Sequence, residues 1–278
     1  MNEAFAPAKI NLTLHVTGKR EDGFHLLDSL VVFVDVGDQL QFRQSTELKL
    51  NILGPKAQGI PIGDSNLVLR AARLVDPSKG AEITLTKNLP AAAGIGGGSS
   101  DAAATVKALC QLWDATLPVN PEILGADVPV CMRARTTRMQ GIGELLSEVP
   151  DLPNAWLVLV NPGVSVSTPE VFRKLVQKEN PWMGTEIPSF KTANDLADWL
   201  HETRNDLQSA AIALEPIIGD VLDAVGDESG CLIARMSGSG ATCWGLFGDK
   251  TQAQQAAERI TASHPEWWTV STKIKSVS

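Results

Sequence analysis

Apolar residues recur at alternate positions through Ile10, Leu12, Leu14 and Val16, with Asn11, Thr13 and His15 between them. Successive side chains of a strand point to opposite faces, so the alternation predicts a half-buried strand. Continued backward, the period sets Lys9 on the polar face with Asn11 and Thr13. Further strands are expected over 30–36, 40–43, 48–53 and 81–87. The rhythm becomes helical in 66–75, through Leu67, Ala71, Leu74 and Val75, and again in 99–113, through Val106, Leu109, Cys110 and Trp113.

Pro150 and Pro153 mark a boundary. Beyond it a buried strand is expected at 156–160, and helices at 169–176, 192–201, 206–214 and 216–225. Strands at 231–236 and 241–247 follow, joined by Ser237-Gly-Ser-Gly240, then a helix at 251–262 and a strand at 268–274. The chain thus divides into 1–150, rich in strands, and 151–278, helices packed on an antiparallel sheet. The fold class is α+β. No internal repeat or low-complexity segment interrupts it.

At 278 residues, 44% hydrophobic and 20% charged, the composition is that of a globular protein. A net charge of −8 argues against extended nucleic-acid binding. Cys110, Cys131, Cys231 and Cys243 are scattered without a CxxC pair, which fits a reducing cytoplasm better than a zinc site or a disulfide framework. The opening Met-Asn-Glu-Ala-Phe has no basic segment and no long apolar run, so no signal peptide is expected, and no run is long enough to span a bilayer. A local site for a small anionic molecule remains compatible with all of this.

One stretch has the composition of such a site: Leu89-Pro90-Ala-Ala-Ala-Gly94-Ile-Gly96-Gly97-Gly98-Ser99-Ser100-Asp101, between an expected strand and an expected helix. Glycine permits positive φ and close approach to the main chain. A helix N-terminus adds free N–H groups and partial positive charge, which together cradle phosphate. The loop lacks the Gly-Lys-Ser/Thr ending of a Walker A loop, and Ser99 stands where a dinucleotide fingerprint needs glycine. Taken alone, it reads equally as a tight turn.

Three other features carry candidate chemistry. Lys9 is either a solvated strand lysine or a group that neutralises phosphate or acidifies a hydroxyl. In Gly23-Phe24-His25 an aromatic ring that can stack precedes an imidazole that can donate and accept, although a histidine in a turn is more often structural. In Gly125-Ala-Asp127-Val-Pro129 the aspartate is either a helix N-cap or a base for an attacking hydroxyl. Asp101 suits the start of a helix without any function, and indicates a metal ligand only weakly.

In their order, Pro7-Ala-Lys9-Ile-Asn11-Leu12, Asp22-Gly-Phe-His25, the glycine-serine loop, Gly125-Ala-Asp-Val-Pro129 and Ser237-Gly-Ser-Gly-Ala-Thr242 resemble the GHMP kinase superfamily over nearly the whole chain. Asp22–His25, Leu124–Pro129, Pro162-Gly-Val-Ser165 and Arg204-Asn-Asp-Leu207 narrow the resemblance to its branch acting on a cytidine-diphosphate-linked methylerythritol. The resemblance implies an N-terminal ribosomal-S5-like α/β domain and a C-terminal ferredoxin-like α/β domain. It implies transfer of the ATP γ-phosphate, with Mg2+, to the erythritol 2-hydroxyl in the non-mevalonate route to isoprenoid precursors. Asp127 then matches the catalytic aspartate and Lys9 its neighbouring lysine. Asn11, Phe24, His25, Thr168 and Phe172 match substrate-binding positions. Asn66, Lys87, Pro90, Gly94, Gly96, Gly97, Gly98, Ser99 and Ser100 match ATP-binding positions. The metal ligands stay unassigned, and partners other than the two small molecules are not implied.

Two departures from the family pattern stand out. The segment 112–125 is about a helical turn shorter than usual, which bears on where Asp127 is held. Phe24 replaces a common tyrosine. Other superfamily kinases, acting on homoserine or mevalonate, share the loop but give no reason for Gly-Phe-His. A binding protein without turnover would keep the fold but has no need for both Lys9 and Asp127.

Overall fold

The computed structural model describes residues 2–276. These form two compact units, neither continuous in sequence: one takes residues 2–9, 36–91 and 96–134, the other 10–35, 92–95 and 135–276.

In the first unit lie most of β1 (Asn2–Asn11), the end of the long strand β3 (His25–Ser45), β4 (Lys49–Leu53) and β5 (Gly80–Thr86). Gln39–Ser45 of β3 pairs antiparallel with β5, and β5 pairs parallel with β4. Helices α1 (Leu67–Val75), α2 (Gly97–Trp113) and α3 (Val128–Arg133) complete it. The core joins Leu40, Phe42, Ile83 and Leu85 of the strands to Val68 and Ala72 of α1 and to Ala104, Ala108, Leu109 and Trp113 of α2. The alanines keep α2 slim where it meets its neighbours, and Asn66 starts α1 by accepting the Val68 N–H at 2.8 Å.

The second unit contains β2 (His15–Lys19), the beginning of β3, β6 (Thr137–Gly141) and β7 (Leu145–Ser147). Leu27–Val31 of β3 pairs with β6, which turns back into β7. A separate antiparallel sheet has the order β11 (Trp268–Lys273), β8 (Trp156–Asn161), β10 (Cys243–Phe247), β9 (Cys231–Met236). With α4 (Thr168–Lys174), α5 (Ala193–His201), α6 (Gln208–Ile212) and α7 (Ile217–Gly226) between β8 and β9, and α8 (Lys250–Ser263) between β10 and β11, this is a ferredoxin-like arrangement. Val158 and Val160 of β8 pack against Val221 and Val225 of α7 and Ala253 and Ala256 of α8 in one core.

Three expectations need correction. The strand expected from Ile10 to Val16 is two strands: the backbone leaves β1 after Asn11, and Leu14 N–H and C=O turn to Arg204 O and Asp206 N. It is also buried on both faces. Asn11, Thr13 and His15 are enclosed with a hydrogen bond each inside: Asn11 Nδ2 to Ser29, Thr13 Oγ1 from the Leu30 N–H and His15 Nδ1 with Pro181 O. The strands expected at 30–36 and 40–43 are one, since Asp38 bonds to Asn88 and Leu89 N–H groups instead of making a turn. The β6–β7 hairpin had no clear alternation to reveal it.

Candidate functional site

Lys9 lies near the end of β1 and is 4% exposed. Its Nζ donates to Asp127 Oδ2 at 2.8 Å, while the Asp127 side chain stays one-third open to solvent. Asp127 directly precedes α3. Its main-chain oxygen accepts the Cys131 N–H, but its carboxylate makes no capping bond. The carboxylate is thus held by a cation and reachable from outside. The short connection does not separate the pair: α2 stops at Trp113, Asp114 takes a left-handed turn, and a single 3-10 turn over Pro121–Leu124 leads through Gly125 to Asp127.

The glycine loop runs from Gly94 to the start of α2. Gly94 has φ +72°, and a Cβ there would stand 2.4 Å from Ser237 O and 2.9 Å from Gly240 O. Gly96, the N-cap of α2, has φ +64°, and a Cβ there would press the Lys9 side chain at 3.1 Å. A larger residue is therefore strained at both positions, most of all at Gly94, where main-chain oxygens crowd it. Gly97 and Gly98 begin the helix and Ser99 is half-buried beside them. The Ser100 hydroxyl is committed inward, donating to Pro7 O at 2.7 Å. Asn66 is likewise occupied, its amide nitrogen donating to Pro61 O and its oxygen capping α1. Pro90 is half-buried in the turn after β5.

Lys87 follows β5 and is buried. Its ammonium donates to Asp38 and, at 2.8 Å, to Asp101. Burial works against its charge, but Asp101 and Asp38 together raise its pKa above the ordinary lysine value. Asp38 was not recognised from the sequence, because nothing local distinguishes an aspartate in the middle of a strand.

In the second unit Asn11 donates through its main chain to Ser237 Oγ at 3.1 Å and through Nδ2 to Ser29 Oγ at 2.7 Å. Its Oδ1 is buried with no hydrogen-bond partner among the described residues. His25 opens β3 and its ring stacks on Phe172 of α4, centroids 4.6 Å apart and planes 21° from parallel. Burial, with Lys19 and Lys178 nearby, lowers the His25 pKa, so the neutral ring is favoured. His25 Nε2 is also enclosed without a partner among the described residues. Phe24, in contrast, is 58% exposed in the turn before β3. Thr168 Oγ1 shares a hydrogen bond with Ser239 Oγ at 2.7 Å, which ties the start of α4 to the Ser237–Gly240 turn. Unsatisfied polar atoms on Asn11 and His25 thus accompany an aromatic pair formed by His25 and Phe172. Such a set suits a polar heteroaromatic ligand.

No cluster of three or more histidine, cysteine, aspartate or glutamate side chains suited to a metal ion occurs among the described residues. No described helix is long and apolar enough to cross a membrane.

The family model for the GHMP kinases N terminal domain matches residues 66–133, and that for the GHMP kinases C terminal domain matches 185–266. The chain is 56% identical over 271 residues to a 4-diphosphocytidyl-2-C-methyl-D-erythritol kinase of Cereibacter sphaeroides, covering 96% of this chain and 97% of the relative. It is 55% identical over 271 residues to the enzyme of the same name from Dinoroseobacter shibae, covering 98% and 94%. Among solved structures it is similar to a 4-(cytidine 5'-diphospho)-2C-methyl-D-erythritol kinase, with 32% identity, a TM-score of 0.77 and coverage of 99% and 100%. A homoserine kinase from Cytophaga hutchinsonii, 19% identical with a TM-score of 0.68 over 99% of this chain and 94% of that one, shares the fold.

Proposed function

The chain belongs to the 4-diphosphocytidyl-2-C-methyl-D-erythritol kinases of the GHMP kinase superfamily, and we propose that it transfers the γ-phosphate of ATP to the 2-hydroxyl of 4-diphosphocytidyl-2-C-methyl-D-erythritol. The observation that carries this reading is the identity of more than half the residues over nearly the full length of relatives so named. The division into an N-terminal half at 1–150 and a C-terminal half at 151–278 is part of this proposal.

Phosphoryl transfer asks the protein mainly for positioning and charge stabilisation. The 2-hydroxyl oxygen attacks the γ-phosphorus, the bond from that phosphorus to the β,γ-bridging oxygen breaks, and ADP leaves. Asp127 accepts the hydroxyl proton. The Lys9 ammonium keeps that carboxylate oriented at 2.8 Å and offsets charge on the transferring group. The free N–H groups at the start of α2, with Gly94, Gly96, Gly97, Gly98 and Ser99, hold the triphosphate, whose accompanying magnesium spreads its charge. Ser100 and Asn66 shape this region through the bonds they already make, and Lys87 acts through its two carboxylates.

Phe24 and His25 receive the cytosine, the Phe24 ring stacking on the base and His25, itself stacked on Phe172, reading a polar edge. Asn11 lies near the phosphate end of the substrate, and Thr168 borders the nucleoside. The free cysteines suit work in the cytoplasm.

The test is phosphorus NMR with ATP, magnesium and the cytidyl substrate, with homoserine and mevalonate run in parallel. A new phosphomonoester with the cytidyl substrate alone is the expected result. A signal only with another acceptor would reassign the substrate.

A further inference from the structure

The Asp38–Lys87–Asp101 cluster has two carboxylates for one ammonium, and all three side chains are at most 5% exposed. With every group charged, a net negative charge is enclosed beneath the helix that begins the glycine loop's far side. The two acids are not equivalent. Asp38 is well supplied: its Oδ1 accepts the Asn88 N–H at 2.6 Å and the Leu89 N–H at 3.0 Å, and its Oδ2 accepts from Lys87. Asp101 Oδ2 accepts from Lys87, but its Oδ1 is buried with no hydrogen-bond partner among the described residues. An unpaired carboxylate oxygen costs far more to bury than an acid group, so a proton gained by the cluster settles on Asp101.

The cluster lies against the first residue of α2. A Cβ built on Gly97 would fall 3.5 Å from Lys87 Nζ and 3.8 Å from Asp38 Oδ2. The Gly97 N–H belongs to the group of free amides that favours an anion. A phosphate there would add negative charge within a few ångströms of a cluster already in excess, where fields are weakly screened.

We propose that Asp101 is a positioning residue for the nucleotide: when the triphosphate settles at the start of α2, the cluster takes up a proton on Asp101 and so removes the negative charge that would otherwise oppose the phosphates. This rests on the glycine loop being the ATP site. Burial, with a contribution from Asp38 and against the pull of Lys87, raises Asp101 to about 7 in the free protein. A neighbouring anion moves it further up, so the uptake is largest between the free and the bound values, just above neutrality.

Several charged groups near α2 have fixed partners. From β1 and the start of α3 come the paired Lys9 and Asp127. From α3 comes the Cys131 thiol, pushed up to about 12 by burial and by Asp127 and therefore protonated at neutral pH. On α1, Arg70 and Arg73 are engaged by Ile123 O and Asp64. The first unit contains no histidine.

The experiment is calorimetric titration of the full chain with a non-hydrolysable ATP analogue and magnesium, in buffers of different protonation enthalpy, on wild type and Asp101→Asn. Asparagine keeps the shape and removes the titrating group. Wild type is expected to take up a fraction of a proton above neutrality and to lose about three- to tenfold in affinity over the two pH units above it. Asp101→Asn is expected to bind with that uptake abolished and with a flatter pH dependence. The analogue's own protons contribute equally to both, so the difference isolates Asp101. Binding by wild type without proton uptake overturns the proposal whatever the variant does, and so does full uptake in a folded Asp101→Asn. Absence of binding by wild type at every pH overturns the nucleotide reading of the loop itself, and the proposal with it.

Discussion

Lys9 Nζ and Asp127 Oδ2 stand 2.8 Å apart across 118 positions of sequence. The pair is asymmetric: the lysine is enclosed, and the carboxylate is one-third open. The aspartate does not cap α3, so its side chain has no local structural task that competes with proton transfer.

Asp127→Asn should therefore fold normally and bind nucleotide, while turnover falls by about a hundredfold or more, the size of a lost general base. Thermal melting should fall modestly, because the enclosed Lys9 loses its carboxylate partner while no capping bond is removed. The comparison requires kcat, nucleotide affinity and Tm on the same preparation. Near-normal kcat would dismiss Asp127 as the base.

Gly94→Ala should harm the loop more than Gly98→Ala. At Gly94 the new methyl meets main-chain oxygens of Ser237 and Gly240, which cannot swing aside, and φ is positive. At Gly98 the nearest atom is a Leu67 methyl at 3.5 Å, an ordinary contact. We expect the first substitution to cost about 1–3 kcal/mol of stability and to weaken ATP binding, and the second to shift stability by less than about 1 kcal/mol. Equal melting temperatures for the two variants would contradict the account.

Much of this arrangement could be read from the chain, and the reason is local. A glycine run at a strand–helix junction, and an aspartate before Val-Pro, are complete within a dozen residues. So are the periodicities of α1, α2 and the strands of the second sheet. The groups that escaped notice depend on distant partners. Asp38 meets Lys87 from the middle of a strand, and Asp28 meets Arg138 across a strand pair. Ser100 and Asn66 show the converse: their motif positions were visible, but only the fold reveals that Pro7 O and Pro61 O already occupy their side chains. The buried polar face of 11–15 was missed for the same reason, since alternation records which residues are polar and not whether they find partners inside.

His15 provides a pH dependence whose sign follows from its neighbours. Its Nε2 faces the Arg204 main-chain N–H, which can only donate, so Nε2 carries no proton and Nδ1 donates to Pro181 O. Burial, aided by Arg204, lowers its pKa despite the opposing Pro181, Asp206 and Asp28. The unfolded chain takes up the proton near the ordinary value of about 6.5 and the folded chain resists it. The stability is thus present above that value and lost as pH falls through it. Melting temperatures followed on acidification should fall more steeply for wild type than for His15→Gln. Parallel curves would mean that His15 is not protonated in this way.

Asp28 and Arg138 set the strongest constraint on the 181–185 segment. The guanidinium makes two parallel bonds of 2.8 Å to the carboxylate, and both side chains are nearly fully buried. Its remaining N–H groups reach Gly184 O and Thr185 O, its face lies 5.7 Å from the Trp182 ring centre, and Asp28 also accepts the Met183 N–H at 2.9 Å. One ion pair thus secures four consecutive residues that have no regular secondary structure of their own. Arg138→Met should leave an enclosed carboxylate without its cation and destabilise the fold by about 3–5 kcal/mol, whereas Asp28→Asn with Arg138→Met should recover part of that loss because no buried charge remains. A double-mutant cycle in urea measures the coupling, and proteolysis after Lys178 reports whether the segment has been released. Additive losses without coupling would show that the segment is held by its own packing and not by the pair.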